Sequence, residues 1–328
     1  MADNASQKYI LSLLKAQHKP ISLREIQQLS TIECAERTLR RWLSTWADEG
    51  QILITGQKRS TRYRYNNPYD KQPTFLTLIP EKNRAPLLKQ LRDLWTHNST
   101  AIEGNTLSLG DTHFILEQGL TISGKPLREH QEIVGHAKAI QILYEGINTA
   151  LNENLIFELH KAVQTEYISD IYKPYGAWKI EPNGTYVVTR ENKQEFIEYA
   201  LPPHTPHLMA ELIKYMESLD QLSAYSAAKH YAHIHAAFVH IHPFFDGNGR
   251  LARLLANLPL LKCGLPPLLI SSEQRQAYIQ ILADYEIKSG QLNNKTGLWP
   301  NPEHLEEFIE FCEKQYQTTQ QLIAQHSH

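Results

Sequence analysis

His242-Pro243-Phe244-Phe245-Asp246-Gly247-Asn248-Gly249-Arg250, followed by Leu251-Ala252-Arg253, is the stretch on which the reading of this chain turns. Pro243, Gly247 and Gly249 forbid a helix through it, whereas Leu251–Leu261 is strongly helical. Asp246–Gly249 is therefore predicted to be a loop at a helix N-terminus. Such a loop presents unpaired backbone N–H groups, and its two glycines let an anion approach closely. Arg250 and Arg253 lie three residues apart on the new helix, share a face, and could clamp phosphates. Asp246 is an anion beside an anion site, which makes sense if it holds a Mg²⁺ that bridges phosphates. His242 is the one group nearby able to take a proton near neutral pH, so it is the candidate general base. Together these residues describe a nucleotide-binding loop with a base at its edge. The chain has no GxxxxGK[ST] sequence and no strand–GxGxxG–helix unit, which excludes P-loop and Rossmann readings.

Outward from the motif the chain is mainly helical. Helix-like apolar spacing covers residues 84–96, 108–118, 126–146, 154–165, 206–218, 222–240, 250–262, 271–287 and 302–325. The last run has Asn301 as a cap and Pro302 at its first position. The exception is Ala177–Arg190, where Trp178–Ile180 and Thr185–Val188 bracket Pro182-Asn183-Gly184 and predict a tight hairpin. At the N-terminus, Tyr9, Ile10, Leu13 and Leu14 recur at helical spacing. Ser22 with Glu25 makes a capping box, and Ala35–Glu49 carries Leu39, Trp42, Leu43 and Trp46 on one side before Gly50. Gln51–Thr55 and Thr61–Tyr65 then flank a Gly56–Ser60 turn. Helix, helix, helix, hairpin resembles a winged helix-turn-helix. The polar, two-proline stretch Asn66–Pro73 reads as a linker.

The 328 residues hold 33 Lys and Arg against 35 Asp and Glu. Residues 1–67 carry 11 basic and 6 acidic side chains, the remaining 261 carry 22 and 29, so any phosphate-backbone partner is confined to a local patch. No run approaches the ~18 apolar residues of a membrane span, and the first residues lack a secretory pattern. Cys34, Cys263 and Cys312 are far apart with no CxxC pair, a reduced, intracellular pattern that offers neither a disulfide framework nor a cysteine zinc site. A cytoplasmic location is expected.

The segment 242–250 resembles the signature HPF-x-[D/E]-GN-G-R of the Fic (filamentation-induced) family at all nine positions. Ala232–Ile241 is similar to the family's preceding helix, and Gly264–Pro267 with Arg275–Tyr278 to its following turn and helix. The likeness runs from about Asn154 to Gln291, and more weakly back to Lys89. It implies a Fic-type helical domain with a small β-hairpin flap and an enzyme that moves AMP from ATP onto a protein Ser, Thr or Tyr hydroxyl. On that resemblance His242 deprotonates the hydroxyl and Asp246 holds Mg²⁺. Gly247, Asn248 and Gly249 form the anion loop, Arg250 and Arg253 meet the triphosphate, and Tyr278 lines the nucleoside pocket. Val187–Arg190, with Val188 and Thr189 at its centre, resembles the flap, which pairs with an extended target segment. A related subfamily that transfers phosphate has lysine where Gly249 stands, so the glycine favours nucleotide transfer.

Ser99-Thr100-Ala101-Ile102-Glu103-Gly104-Asn105 also matches the family's inhibitory pattern [S/T]-x-x-x-E-[G/N]. Pairing of Glu103 with Arg253 would remove a positive charge from the triphosphate site, and low basal activity is expected. The same glutamate supports AMP removal in related proteins, so Glu103 is read as inhibitor, hydrolytic residue or both. The implied domains are a winged helix-turn-helix at 1–67, a helical region at 68–152 with the inhibitory helix at about 89–105, a catalytic domain at 153–292 and a C-terminal helix at 293–328. The resemblance also points to a homodimer and to self-modification as one outcome. The histidines at 230, 233, 235, 240 and 242 lack a joining cysteine or carboxylate at ligand spacing, which disfavours zinc. Arg37, Arg40, Arg41, Lys58, Arg59, Arg62 and Arg64 make residues 1–67 a candidate DNA reader. That leaves an alternative reading: a DNA-binding regulator whose ATP site is a sensor.

Overall fold

The computed structural model describes residues 2–17, 20–32, 34–56, 58–65, 74–164 and 171–327. The chain divides into two units, Met1–Lys71 and Gln72–His328. The Asn66–Pro73 stretch predicted as a linker lies outside the described residues.

In the first unit the helices are α1 (Ala2–Ala16), α2 (Leu23–Leu29) and α3 (Glu36–Asp48), followed by antiparallel β1 (Ile52–Thr55) and β2 (Arg62–Tyr65). The capping box forms as its sequence dictates: Ser22 Oγ accepts from the Glu25 N–H at 3.2 Å, and the Ser22 N–H donates to Glu25 at 2.6 Å. Leu39, Trp42, Leu43 and Trp46 of α3 bury together against Ile10, Leu14, Ile26, Ile52 and Tyr63. Burying that stripe leaves Arg37, Arg40 and Arg41 on the exposed side, Arg40 paired with Glu36 at 2.7 Å. Ile21 adds a short bridge to Tyr63 on β2.

The second unit is built from α4 (Glu81–Ile102), α5 (Leu109–Gln118), α6 (Leu127–Gly146) and α7 (Glu153–Val163), then strands β3 (Gly184–Val188) and β4 (Gln194–Glu198). It continues with α8 (Thr205–Glu217), α9 (Ala224–Ile241), α10 (Asn248–Leu255), α11 (Leu258–Lys262), α12 (Arg275–Ser289) and α13 (Glu306–Ala324). Helix α9 is apolar almost all round and is the axis of the unit, with α8, α10 and α13 packed on it. Its alanines at 227, 228, 232, 236 and 237 are buried and let those neighbours approach closely. No described helix is long and apolar enough to cross a membrane.

Several expected boundaries move, each for a local reason. The 250–262 run splits into α10 and α11, with Pro259 in the first turn of the second piece. The 302–325 run opens with a 3₁₀ turn, Pro302–Leu305, and Asn301 does not cap it; its amide donates to Lys288 O at 3.2 Å. The hairpin is the largest correction. Residues 178–180 form no strand, and β3 pairs instead with β4, from Gly184 opposite Glu198 to Val188 opposite Gln194. The turn lies at 189–193, where Asn192 takes the left-handed conformation at φ 59. Gly184 is required for close approach, since a Cβ there would meet the Phe196 ring and the Ile197 carbonyl oxygen at 2.4 and 2.6 Å.

The core of this unit is rich in buried histidine. Burial holds His136 and His235 well below the usual range and lowers His160, His240 and His242 to about 4. In the unfolded chain the same rings titrate near ~6.5. Between those values the unfolded state binds more protons, so stability rises with pH there and falls as pH drops from about 6.5 towards 4. The expected result in differential scanning calorimetry is a Tm lower by on the order of 10 °C at pH 5 than at pH 7.

Candidate active site

The site is assembled where α9 ends. His242 caps that helix in the left-handed region, φ 51 and ψ 59, with its N–H donating to Phe238 O at 3.0 Å. A non-glycine residue held there costs about 1–3 kcal/mol, so surrounding contacts must over-determine it. They do. Lys179 Nζ donates to Ile241 O at 3.0 Å, Asn183 Nδ2 to His242 O at 3.2 Å and to Phe244 O at 3.0 Å, and the Lys179 N–H to Pro243 O at 2.8 Å. Four successive carbonyls, 241 to 244, are thereby taken. The segment read as a hairpin turn is in fact the bracket of the motif, which is why Asn183 does not turn a chain.

The His242 ring has a fixed tautomer. Its Nδ1 lies 3.0 Å from Val239 O, and a carbonyl only accepts, so Nδ1 carries the proton and Nε2 keeps its lone pair. The ring stacks on Tyr199 at 3.8 Å and 6°. Burial pushes its pKa to about 4, with the nearby Lys179 cation acting in the same direction. At neutral pH the imidazole is therefore in its proton-accepting form.

Beyond it the loop is closed by Asn248, whose Oδ1 accepts from the Phe244 N–H and whose Nδ2 donates to Phe244 O, both at 2.9 Å. Asn248 thus shapes the loop from beneath while Gly247, at φ 80, begins α10. The first N–H groups of α10 have no helical partner by construction. Phe244 is fully buried and stacks on His160 at 3.9 Å and 9°. His160 Nδ1 accepts from the Gly176 N–H at 3.1 Å, so its Nε2 donates to Asp246 O at 3.2 Å. Nothing local in the sequence marks His160, Lys179 or Asn183.

Arg250 and Arg253 leave the helix in different directions. Arg250 Nη1 donates to Val163 O at 3.0 Å and its Nη2 lies 3.5 Å from Asp246, while its buried Nε has no partner among the described residues. Arg253, 3% exposed, uses four of its five N–H groups: Nε to Ser99 Oγ at 3.0 Å, Nη2 to Ser99 O at 2.8 Å and to Glu103 Oε1 at 2.6 Å, and Nη1 to Tyr278 OH at 3.1 Å. Burial opposes this cation, but Tyr278 and Glu103 outweigh it and its pKa is raised. Glu103 ends α4 and is held in place from behind: Arg275 Nε caps Ile102 O at 2.6 Å, and Asn105 ties to α6 through Glu129 O and Glu132 at 3.0 Å each. Its carboxylate stands so close to the start of α10 that a Cβ on Gly249 would be 2.5 Å from Oε1. A cavity of about 700 Å³ joins Glu103, Gly249 and His242 to Val187 and Val188 of β3 and to Tyr199, Ile279 and Glu286.

Residues 150–260 match the model of the Fic/DOC family. The matched stretch, which holds the whole 242–250 motif, is similar to a Fic domain. The chain is 32% identical over 199 residues to a protein adenylyltransferase fic-1 from Caenorhabditis briggsae, covering 58% of this chain and 36% of that protein. It is also 32% identical over 221 residues to a protein adenylyltransferase Fic from Drosophila willistoni, covering 65% and 41%. The chain therefore spans less than half the length of these curated relatives. Among solved structures, a Fic-domain-containing signaling protein from Bacteroides thetaiotaomicron aligns with a TM-score of 0.65 at 25% identity, over 78% of this chain and 95% of that one. Fic-1 from Caenorhabditis elegans aligns with a TM-score of 0.54 at 25% identity, over 98% and 82%.

Seven of the eleven expected site residues are not part of this cavity's lining: Asp246, Gly247, Asn248, Arg250, Arg253, Tyr278 and Thr189, of which Asp246 lines a separate hollow with His160 and Phe245. Tyr278, expected at the nucleoside, is 4% exposed and does not line it; its hydroxyl lies between Arg253 and His235 Nε2, the latter at 3.0 Å. Ile279 and Leu282, on the adjoining face of α12, line the cavity instead. Thr189 builds the flap turn, its N–H donating to Lys193 O at 2.8 Å, and Arg190 beside it pairs with Asp284 and Glu307, each at 2.6 Å. The donor chemistry at the loop fits a magnesium ion in one way only. Among the described residues no three acidic, histidine or cysteine side chains cluster as a metal cage. Asp246 is a lone, half-exposed carboxylate, as suits an ion held by one carboxylate and a ligand's phosphates.

Proposed function

We propose that this chain transfers AMP from ATP to a hydroxyl of a target protein, itself included, and that Glu103 restrains the transfer. The carrying observation is the shared cavity: a proton-accepting His242 Nε2, the α10 N-terminus at Gly249, and a carboxylate seated on Arg253. In this reading His242 Nε2 takes the hydroxyl proton as the oxygen attacks the α-phosphorus. The new O–P bond forms, the bond to the bridging oxygen breaks, and pyrophosphate leaves. The N–H groups of Gly249 and Arg250 stabilise the charge that builds on the α-phosphate. Asp246 would hold Mg²⁺, which when bound neutralises phosphate charge. Arg253 reaches the terminal phosphates only once Glu103 lets go. Positioning and charge neutralisation carry most of the rate, as in other phosphoryl-type transfers. β3 supports strand addition by an extended target segment, because Tyr186 and Val188 are exposed beside the cavity. Intact-mass measurement of the Glu103→Gly protein after incubation with ATP and Mg²⁺ tests this: an AMP adduct is expected. No adduct on the protein or on any protein of a cell extract would overturn the reading. If Glu103 also aligns water for AMP removal, a pre-modified target loses AMP with the wild type and keeps it with the variant.

Residues 1–67 favour a second, separable property. The exposed face of α3 presents Arg37, Arg40 and Arg41, and β2 adds Arg62 and Arg64, an arrangement suited to a DNA groove and backbone. With several phosphate contacts, affinity for duplex DNA should fall by a factor on the order of 10² between 50 and 200 mM salt. Fluorescence anisotropy at the two salt concentrations checks it; absence of binding at the lower one would assign this unit to protein contacts. A homodimer, implied by the resemblance, is open to sedimentation analysis of the full chain.

A further inference from the structure

We propose that Lys179 and Asn183 are positioning residues for AMP transfer, acting through His242 by fixing its left-handed backbone and the plane of its ring. The inference rests on the transfer reading above and concerns residues outside the family signature. A lysine that is 4% exposed is expensive to keep, and it is retained here without a carboxylate: among the described residues Nζ meets only Ile241 O and, at 2.6 Å, Asn183 Oδ1. Burial alone lowers it to about 7. What that cost secures is the local geometry. Lys179 orients the Asn183 amide so that its two N–H bonds meet His242 O and Phe244 O, on either side of Pro243. The Asn183 carbonyl oxygen accepts from the Tyr199 N–H at 3.1 Å, and the Tyr199 ring is the face on which His242 stacks. One five-residue segment thus sets both the backbone under the imidazole and the aromatic wall beside it. Loss of Lys179 would free the Asn183 amide to rotate, release the His242 carbonyl, and let the ring swing out of line with an incoming hydroxyl. A misplacement of about 1 Å is enough to cost ~10²-fold in rate.

The test is Lys179→Met in the Glu103→Gly parent, with Lys179→Arg and Asn183→Ala beside it. Transfer of AMP in single turnover should fall at least about tenfold in Lys179→Met, while ATP–Mg²⁺ affinity by calorimetry stays within about twofold. Lys179→Arg, which can still donate to two carbonyls, should restore a large part of the rate. The ring-current shift that Tyr199 imposes on the His242 Hε1 proton should be present in the parent by NMR and absent in Lys179→Met. Transfer within twofold of the parent, or a loss of rate that tracks a loss of ATP affinity, would overturn the assignment. Should Lys179→Met not fold, Asn183→Ala answers the same question with Lys179 in place. A parent that transfers no AMP counts against the transfer reading alone. The His242 shift then still decides whether the clamp positions the ring.

Discussion

Glu103→Gly should raise AMP incorporation, followed with α-³²P-ATP, by about 10–100-fold over the wild type. The magnitude comes from what the carboxylate holds: one charge-assisted hydrogen bond to Arg253, worth roughly 1.5–3 kcal/mol, and each ~1.4 kcal/mol is tenfold. Direction follows from geometry. Arg253 is 3% exposed and four of its five N–H groups are engaged by Ser99, Glu103 and Tyr278, so a phosphate gains a bidentate grip only by displacing a partner. Glu103, 42% exposed, is the displaceable one, since Ser99 and Tyr278 are buried. The carboxylate also faces the α10 N-terminus and repels any anion approaching Gly249. Glu103→Gln keeps the shape and removes the charge, so its rate should fall between the two. Equal incorporation by all three proteins would show that the Arg253 pair does not gate the site.

Local hydrogen bonding is what the sequence makes legible, and the site shows where that ends. The capping box at Ser22 and the α10 start after Gly247 each depend on residues within four positions of one another. Residue type and spacing suffice to predict them. The pairing of Glu103 with Arg253 spans 150 positions and came from a resemblance, not from periodicity. Lys179 and Asn183 act on carbonyls about sixty residues away, and His160 on one 86 residues away. Backbone carbonyls carry no sequence label, so no spacing rule could find these contacts. Asn183-Gly184 shows the same point in reverse. Asparagine before glycine has a strong local turn preference, but the tertiary contacts of the Asn183 amide and the close packing of Gly184 on Phe196 and Ile197 override it. Tyr278 differs from its expected place for a related reason: the resemblance fixes which residue occupies that position of α12 but not which neighbour its side chain meets, and here the buried Arg253 claims the hydroxyl.

His242→Ala, placed in the Glu103→Gly background, should lower AMP transfer by ~10²–10⁴-fold, the range for removing a positioned general base. ATP–Mg²⁺ affinity should change little, because the ring contributes a proton acceptor to the cavity while the loop and α10 N-terminus supply the anion contacts. The two readouts separate a chemical role from a binding role. A further consequence concerns pH. With its pKa lowered to about 4 by burial, His242 in the nucleotide-free protein should titrate by NMR near pH 4, well below the ordinary ~6.5. The neutral ring is the active form, so protonation of this group should not limit transfer until the pH falls below about 5. A low pKa makes the imidazole a weak base in water, and that is consistent with a mechanism in which the phosphorus is made strongly electrophilic first. The hydroxyl proton then needs to be accepted only as the O–P bond forms. An imidazole titrating at its ordinary value would mean that the Tyr199 stack and the Lys179 clamp do not enclose it in solution. Undiminished transfer by the alanine variant would mean that another group takes the proton.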